Sequence, residues 1–203
     1  MVFSSFQLEQ ELWSKGLSLI CGVDEVGRGC FAGPVVAGAV VFPQNFLDIK
    51  GLADSKLLNP KKREELSEQI KQKALSWAVG EANVEIINKV GIGKATQIAF
   101  VRAVQSLKII PQQILIDAFY IEALDKSNQK PIKNGDKMCS SIAAASIVAK
   151  VYRDNLMQKL HLEHPNYDFL GNKGYGTKKH RDAIKKFGLS SLHRTSFNLS
   201  KFL

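Results

Sequence analysis

LSLICGVDEVGRGCFAGPVVAGAVVF, residues 17–42, decides how this chain is read. Two strand-like runs, 18–24 and 33–42, flank the glycine-bearing segment 25–33, so a sheet starts here as a hairpin-like pair. The adjacent acids Asp24 and Glu25 stand between those apolar runs. Two carboxylates in such a place repel each other and lose solvation, at a cost of several kcal/mol unless a cation compensates. Oxygen-rich clusters suit Mg²⁺ or Mn²⁺. The stretch therefore points to a metal-dependent enzyme.

Working outward, the N-terminal MVFSSFQLEQELWSKG reads as a short amphipathic helix and not as a signal peptide. Asn59-Pro60 opens a helix through KKREELSEQIKQKAL, with Asn as N-cap and Pro in the first turn. SWAVGEANV, 76–84, reads as a third strand, and Ile98, Val101, Val104 and Leu107 mark a helix from Gly93 to Lys108. Pro111 ends it before the short buried strand QILID. A polar loop leads to a long helix over 138–162, whose SIAAASIVAK lets another backbone come close. Thr177 to Phe187 forms a last basic helix stopped by Gly188. The order ββ-α-β-α-β-α-α predicts an α/β fold with a central mixed sheet flanked by helices and a helical C-terminal portion.

With 203 residues and no repeat or linker-like tract, residues 1–203 are expected to form one domain. No apolar run reaches membrane-spanning length. Cys21, Cys30 and Cys139 are odd in number and sit among apolar or small residues, the pattern of reduced thiols in a cytoplasmic protein. The net charge of +9 is unevenly placed. Residues 1–125 hold 13 Lys and Arg against 14 Asp and Glu, while 126–203 hold 15 against 5. The basic portion suits a polyanionic partner.

Two further acids join the first pair. Asp117 follows Ile114-Leu115-Ile116 at a strand's carboxyl end, the edge of an α/β sheet where sites form. Asp136 follows Gly135 just before a helix. Read singly, Asp136 is equally a helix N-cap, Asp117 a partner for a lysine, and Asp24-Glu25 partners for Arg28. Taken together beside a cationic surface, Asp24, Glu25, Asp117 and Asp136 suit a two-metal nuclease.

The segment Gly22 to Gly29 with Ala32-Gly33-Pro34-Val35-Val36 resembles the signature of bacterial ribonuclease HII, a type 2 ribonuclease H. The resemblance continues in order through Asp54-Ser55-Lys56, Ile116-Asp117, Gly135-Asp136, Ser141 to Ser146, Ala149-Lys150-Val151, Arg153-Asp154, Lys173 to Thr177, His193-Arg194 and Ser196-Phe197. Arg28 favours this family over ribonuclease HIII, which typically carries Lys there. The resemblance implies a ribonuclease H-like fold, cleavage of RNA in RNA–DNA hybrids, and incision 5′ of single ribonucleotides embedded in duplex DNA. It implies Asp24, Glu25, Asp117 and Asp136 as metal-binding catalytic acids for Mg²⁺ or Mn²⁺, two ions with substrate bound. Gly27, Arg28 and Gly29 would read the ribose 2′-hydroxyl, assisted by Tyr175. Lys56, Lys150, Arg153 and Lys173 are candidates for phosphate contacts. About 165–203 would form the basic substrate-binding portion, with Lys178, Lys179, Arg181, Lys185 and Lys186 expected to grip the duplex.

The chain departs from the family pattern at Cys30-Phe31, where Pro-Leu is common, at Ala118, where Gly is usual, and at Asn172, where His is frequent. Gly91 to Thr96 fails as a phosphate loop, because its first glycine would fall on Asn88 and Ala95 replaces the hydroxyl. Helix entry by Gly93 is the better reading. His161 and His164 read as solvated or capping residues, and Trp13 and Trp77 as core. A non-catalytic relative would have lost acids, and a recombinase-like nuclease would lack the Gly-Arg-Gly and Lys-Gly-Tyr pair. The C-terminal NLSKFL carries no clear sliding-clamp motif, so a clamp partner is possible but unsupported, and a monomer is expected.

Overall fold

A computed structural model describes residues 4–49, 51, 52, 55 and 58–203. The strands are β1 (Ile20–Val26), β2 (Val35–Val41), β3 (Ser76–Ala82), β4 (Gln113–Asp117) and β5 (Gln129–Ile132). Among the described residues they form one sheet in the order β3-β2-β1-β4-β5. β1 runs antiparallel to β2 and parallel to β4, and β4 is parallel to β5. The mixed sheet and the opening β1–β2 hairpin match the expectation from residues 17–42.

Helices cover both faces. On one side lie α1 (Gln7–Trp13), α2 (Pro60–Lys73) and α5 (Ser140–Glu163), packed on Ile20, Val40 and Leu115. On the other lies α3 (Val84–Gln105), packed on Cys21, Val23, Ala37, Ala39 and Ile116. The period-2 alternation of a strand sends neighbouring side chains to opposite layers. Short helices α4 (Gly135–Met138) and α6 (Phe169–Asn172) and the basic α7 (Lys178–Phe187) complete the chain. Asn59 caps α2 by accepting the Lys62 N–H, as its position before Pro60 requires.

The Ala/Ser run in α5 works as the sequence suggests. A Cβ on Gly22 would strike the Ser141 and Ile142 backbone, and one on Gly38 would strike the Ala145 carbonyl. Only glycine lets β1 and β2 lie this close to α5. α3 spans Val84–Gln105, but Gly91 (φ 80°) leaves helical geometry and divides it in two, so the second helix enters beside Gly93 as the sequence suggests, after a first helical segment that starts at Val84 and is capped by Asn83. Two readings need correction. The loop after β4 holds the edge strand β5, whose Pro131 masked it. Trp77 is 38% exposed beneath the Lys71 ammonium and is not core, whereas Trp13 is buried. No described helix is long and apolar enough to cross a membrane.

Candidate functional site

β1 and β4 are parallel neighbours in the register Val23 to Ile116, so Asp24 and Asp117 come level at their carboxyl ends. Both point to the α5 side, since Gly22 and Leu115, two residues earlier, face that layer. Glu25 emerges on the α3 side, where the Arg28 Nη1 lies 3.4 Å from its Oε1. Asp117 Oδ1 accepts the Gly135 N–H at 2.7 Å, which draws the start of α4, and with it buried Asp136, to the end of β4. The fold thus gathers the four acids at one end of the sheet from three separate stretches: the strand β1, the end of β4 and the start of α4.

The electrostatics follow from this crowding. Burial, then the charges of Glu25 and Asp117, hold the Asp24 carboxyl well above the usual carboxylate range, against the Ser146 hydroxyl and Glu25 N–H that favour its charged form. Glu25 is raised by burial and Asp117, with Arg28 opposing. Among the described residues, acid crowds acid at Asp24, Glu25 and Asp117, and Arg28 opposes that crowding at Glu25. Among the described residues, no three such side chains close on one point as they stand. The all-oxygen donors and their mutual crowding fit a hard divalent cation.

The loop after the acids is built on two fully buried arginines. Arg194 donates to the carbonyls of Gly27 and Arg28, each at 2.7 Å, and to those of Gly33 and Pro34. Arg153 donates to the carbonyls of Ala32, Pro34 and Lys173. It is therefore an internal strut at 0% exposure and not a surface phosphate contact as the sequence suggested. A Cβ on Gly27 (φ 91°) would strike the Arg153 side chain, whereas Gly29 opens to free space. Gly29 thus offers close backbone approach, and Gly27 is demanded by packing.

Tyr175 stands across this loop, 39% exposed. Burial and the neighbouring Cys30 push its hydroxyl up to about 12, so it remains a neutral donor. The Lys150 ammonium lies 5.9 Å from the ring centroid and 2.6 Å from Asp154, which also takes Arg63 at 3.2 Å. Lys173 is partly exposed with φ 51°, and its carbonyl accepts from Arg153 and Cys30. Asn172 fills its position by bonding Tyr167 and Gly174. Lys56 lies outside the described residues.

Sequence reading missed a buried histidine pair beneath Tyr175. His180 Nδ1 lies 2.9 Å from the Tyr175 carbonyl, and its Nε2 lies 3.0 Å from His193 Nε2. His193 Nδ1 lies 2.9 Å from the Ser190 N–H. A carbonyl only accepts and an N–H only donates, which forces one proton arrangement. His180 donates from Nδ1, His193 donates from Nε2 to His180, and both rings are neutral. The spacing of thirteen residues across a turn gives no periodic signal that would have revealed the pair.

The family profile described as Ribonuclease HII matches residues 21–200. Ribonuclease HII of Lactobacillus gasseri is 48% identical over 192 residues, covering 95% of this chain and 75% of that one. The crystal structure of ribonuclease H2 from Pyrococcus horikoshii OT3 has a TM-score of 0.74 at 25% identity, covering 90% and 95% of the two chains. That of Bst ribonuclease HIII in complex with Mn²⁺ has a TM-score of 0.73 at 20% identity, covering 91% and 68%.

Proposed function

Because the chain belongs to the ribonuclease HII family and is a ribonuclease H endonuclease, we propose that it cuts RNA in RNA–DNA hybrids. It also incises 5′ of single ribonucleotides in duplex DNA, leaving 3′-hydroxyl and 5′-phosphate ends. The observation that carries this is one continuous run, Asp24 to Gly29, in which crowded acids lead directly into an arginine-braced glycine loop. Chemistry and ribose recognition then share a single rigid segment.

Asp24, Glu25, Asp117 and Asp136 would hold Mg²⁺ or Mn²⁺. With substrate bound, two such ions would supply Lewis-acid activation of water and charge neutralisation at the leaving oxygen. The chain's own residues do the rest. Arg194 fixes the Gly27 and Arg28 carbonyls inward, so the loop meets a ligand in one conformation. Open space at Gly29 admits a ribose, and a 2′-hydroxyl is the feature that separates RNA from DNA there. Tyr175 presents its ring and a neutral phenol to the same sugar, with Lys150 alongside. Lys173 and the exposed lysines of α7 grip phosphates from the basic portion, about 165–203, of a single-domain monomer. Three free cysteines fit work in the reducing cytoplasm.

End-group analysis tests the reaction. A duplex with one ribonucleotide should yield 3′-hydroxyl and 5′-phosphate ends with Mg²⁺ or Mn²⁺ and remain whole in EDTA. Cleavage that persists in EDTA, or ends bearing a cyclic phosphate, would refute the assigned chemistry.

A further inference from the structure

The chain turns sharply as soon as β4 delivers Asp117. Ala118 takes φ 66°, in the left-handed region that a Cβ disfavours, and the Phe119 N–H folds back onto the Asp117 carbonyl at 2.9 Å. The turn throws two aromatic side chains outward, Phe119 at 50% and Tyr120 at 42% exposure. Strained backbone at a site persists only where its surroundings over-determine it.

Those surroundings are present. Gln97 of α3 donates to the Tyr120 carbonyl at 2.9 Å and accepts the Glu122 N–H at 2.8 Å. Between them Ile121 is buried, and its N–H and carbonyl both bond the Gln129 amide. The aromatic pair is thus displayed on a clamped loop. Cations surround it. The Arg28 guanidinium lies 5.4 Å from the Phe119 ring centroid, and the Lys126 ammonium 5.7 Å from that of Tyr120. Both rings line a groove of about 530 Å³ shared with Lys94.

We infer that Phe119 and Tyr120 form a stacking platform for the nucleic-acid strand flanking the scissile phosphate. The occupant is a nucleic acid because π-faces accept any base or sugar face, while Arg28, Lys94 and Lys126 match its phosphates. The platform is continuous with the site through Arg28, which reaches Glu25 on one side and Phe119 on the other. It contributes affinity without sequence preference. The inference rests on the nuclease reading and adds a binding site to it.

The test measures binding apart from cleavage. Affinity for a fluorescent duplex with one ribonucleotide is followed by anisotropy in EDTA, across a salt series. The Phe119→Ala, Tyr120→Ala double variant should bind about tenfold more weakly. Its slope of log affinity against log salt should match the parent, because no phosphate contact is lost. The exchange Phe119→Tyr with Tyr120→Phe keeps both rings and should bind as the parent does. With metal, the alanine variant should raise KM and leave kcat unchanged. Unchanged affinity of the alanine variant, a flattened salt slope, or an equal loss in the ring-preserving variant would overturn the platform. Both side chains are exposed, so folding should survive. If the double variant melts early, Phe119→Ala alone reads the same effect at about threefold, and parent-like affinity there is equally fatal. Failure of the parent to cut beside a ribonucleotide would instead sink the nuclease reading.

Discussion

Asp24 concentrates the physics of the site in one side chain. Its burial and its acidic neighbours lift its protonation midpoint, so its contribution to folding is greatest in acid and is lost as pH rises through that midpoint. A divalent cation removes that penalty. Asp117 offers the cleanest removal, because Asn retains an oxygen for the Gly135 N–H. Asp117→Asn is predicted to lower cleavage by more than about a hundredfold with an unchanged melting temperature, read by single-turnover assay and calorimetry. Ala118 holds a left-handed backbone position that glycine occupies without a Cβ penalty. Ala118→Gly should relieve that strain and raise stability by roughly 0.5–1 kcal/mol, measured by urea denaturation. At this scale the acids were legible, because a charge inside an apolar run is conspicuous. Arg153 and Arg194 were not. Their partners are backbone carbonyls from distant loops, which no side-chain pattern records.

At the scale of elements, the link from β1 to β2 is held by groups far away in sequence. Arg194 supplies a planar fork of donors to four carbonyls, and a lysine ammonium cannot reach them all. Arg194→Lys should cost roughly 3 kcal/mol in denaturant melts and reduce discrimination for a ribonucleotide. The histidine pair ties α7 and the Tyr175 loop to the segment 190–194. Burial, then His180, presses His193 from 6.5 to about 4, with His164 adding to the depression, while Asp168 opposes it at His180. The unfolded chain therefore binds more protons between those values, and the pair's stabilisation, full above 6.5, fades as pH falls towards about 4. The stability difference between parent and His193→Gln should shrink across that window in urea melts. A constant difference would show that the pair does not titrate as described. Strand and helix types were legible from periodicity and from Asn59-Pro60. The first segment of α3 was hidden because it runs only from Val84 to where Gly91 leaves helical geometry, and so short a helix carries little periodic signal. β5 was hidden because four residues containing a proline carry almost no strand signal.

At the scale of the molecule, the charge is divided as the proposed task requires. The acids stand at one end of the sheet, and the excess of Lys and Arg lies in residues 126–203, where α7 exposes Lys178, Lys179, Lys185 and Lys186. That division was readable from composition, but the loops joining the two regions were not. Phe31 shows why: it packs against His180 and Phe202, and a Cβ at Gly176 would strike its ring. The segment after the glycines is thereby fastened to the C-terminal portion by contacts that only folding creates. This joined surface is proposed to detect one 2′-hydroxyl and to cut beside it. Single-turnover cleavage of two duplexes that differ only in that hydroxyl, with Mg²⁺ or Mn²⁺, is the decisive measurement. One cut, 5′ of the ribonucleotide, is expected in the first duplex and none in the second. Equal cutting of both duplexes, or no cut in either under both metals, would contradict it.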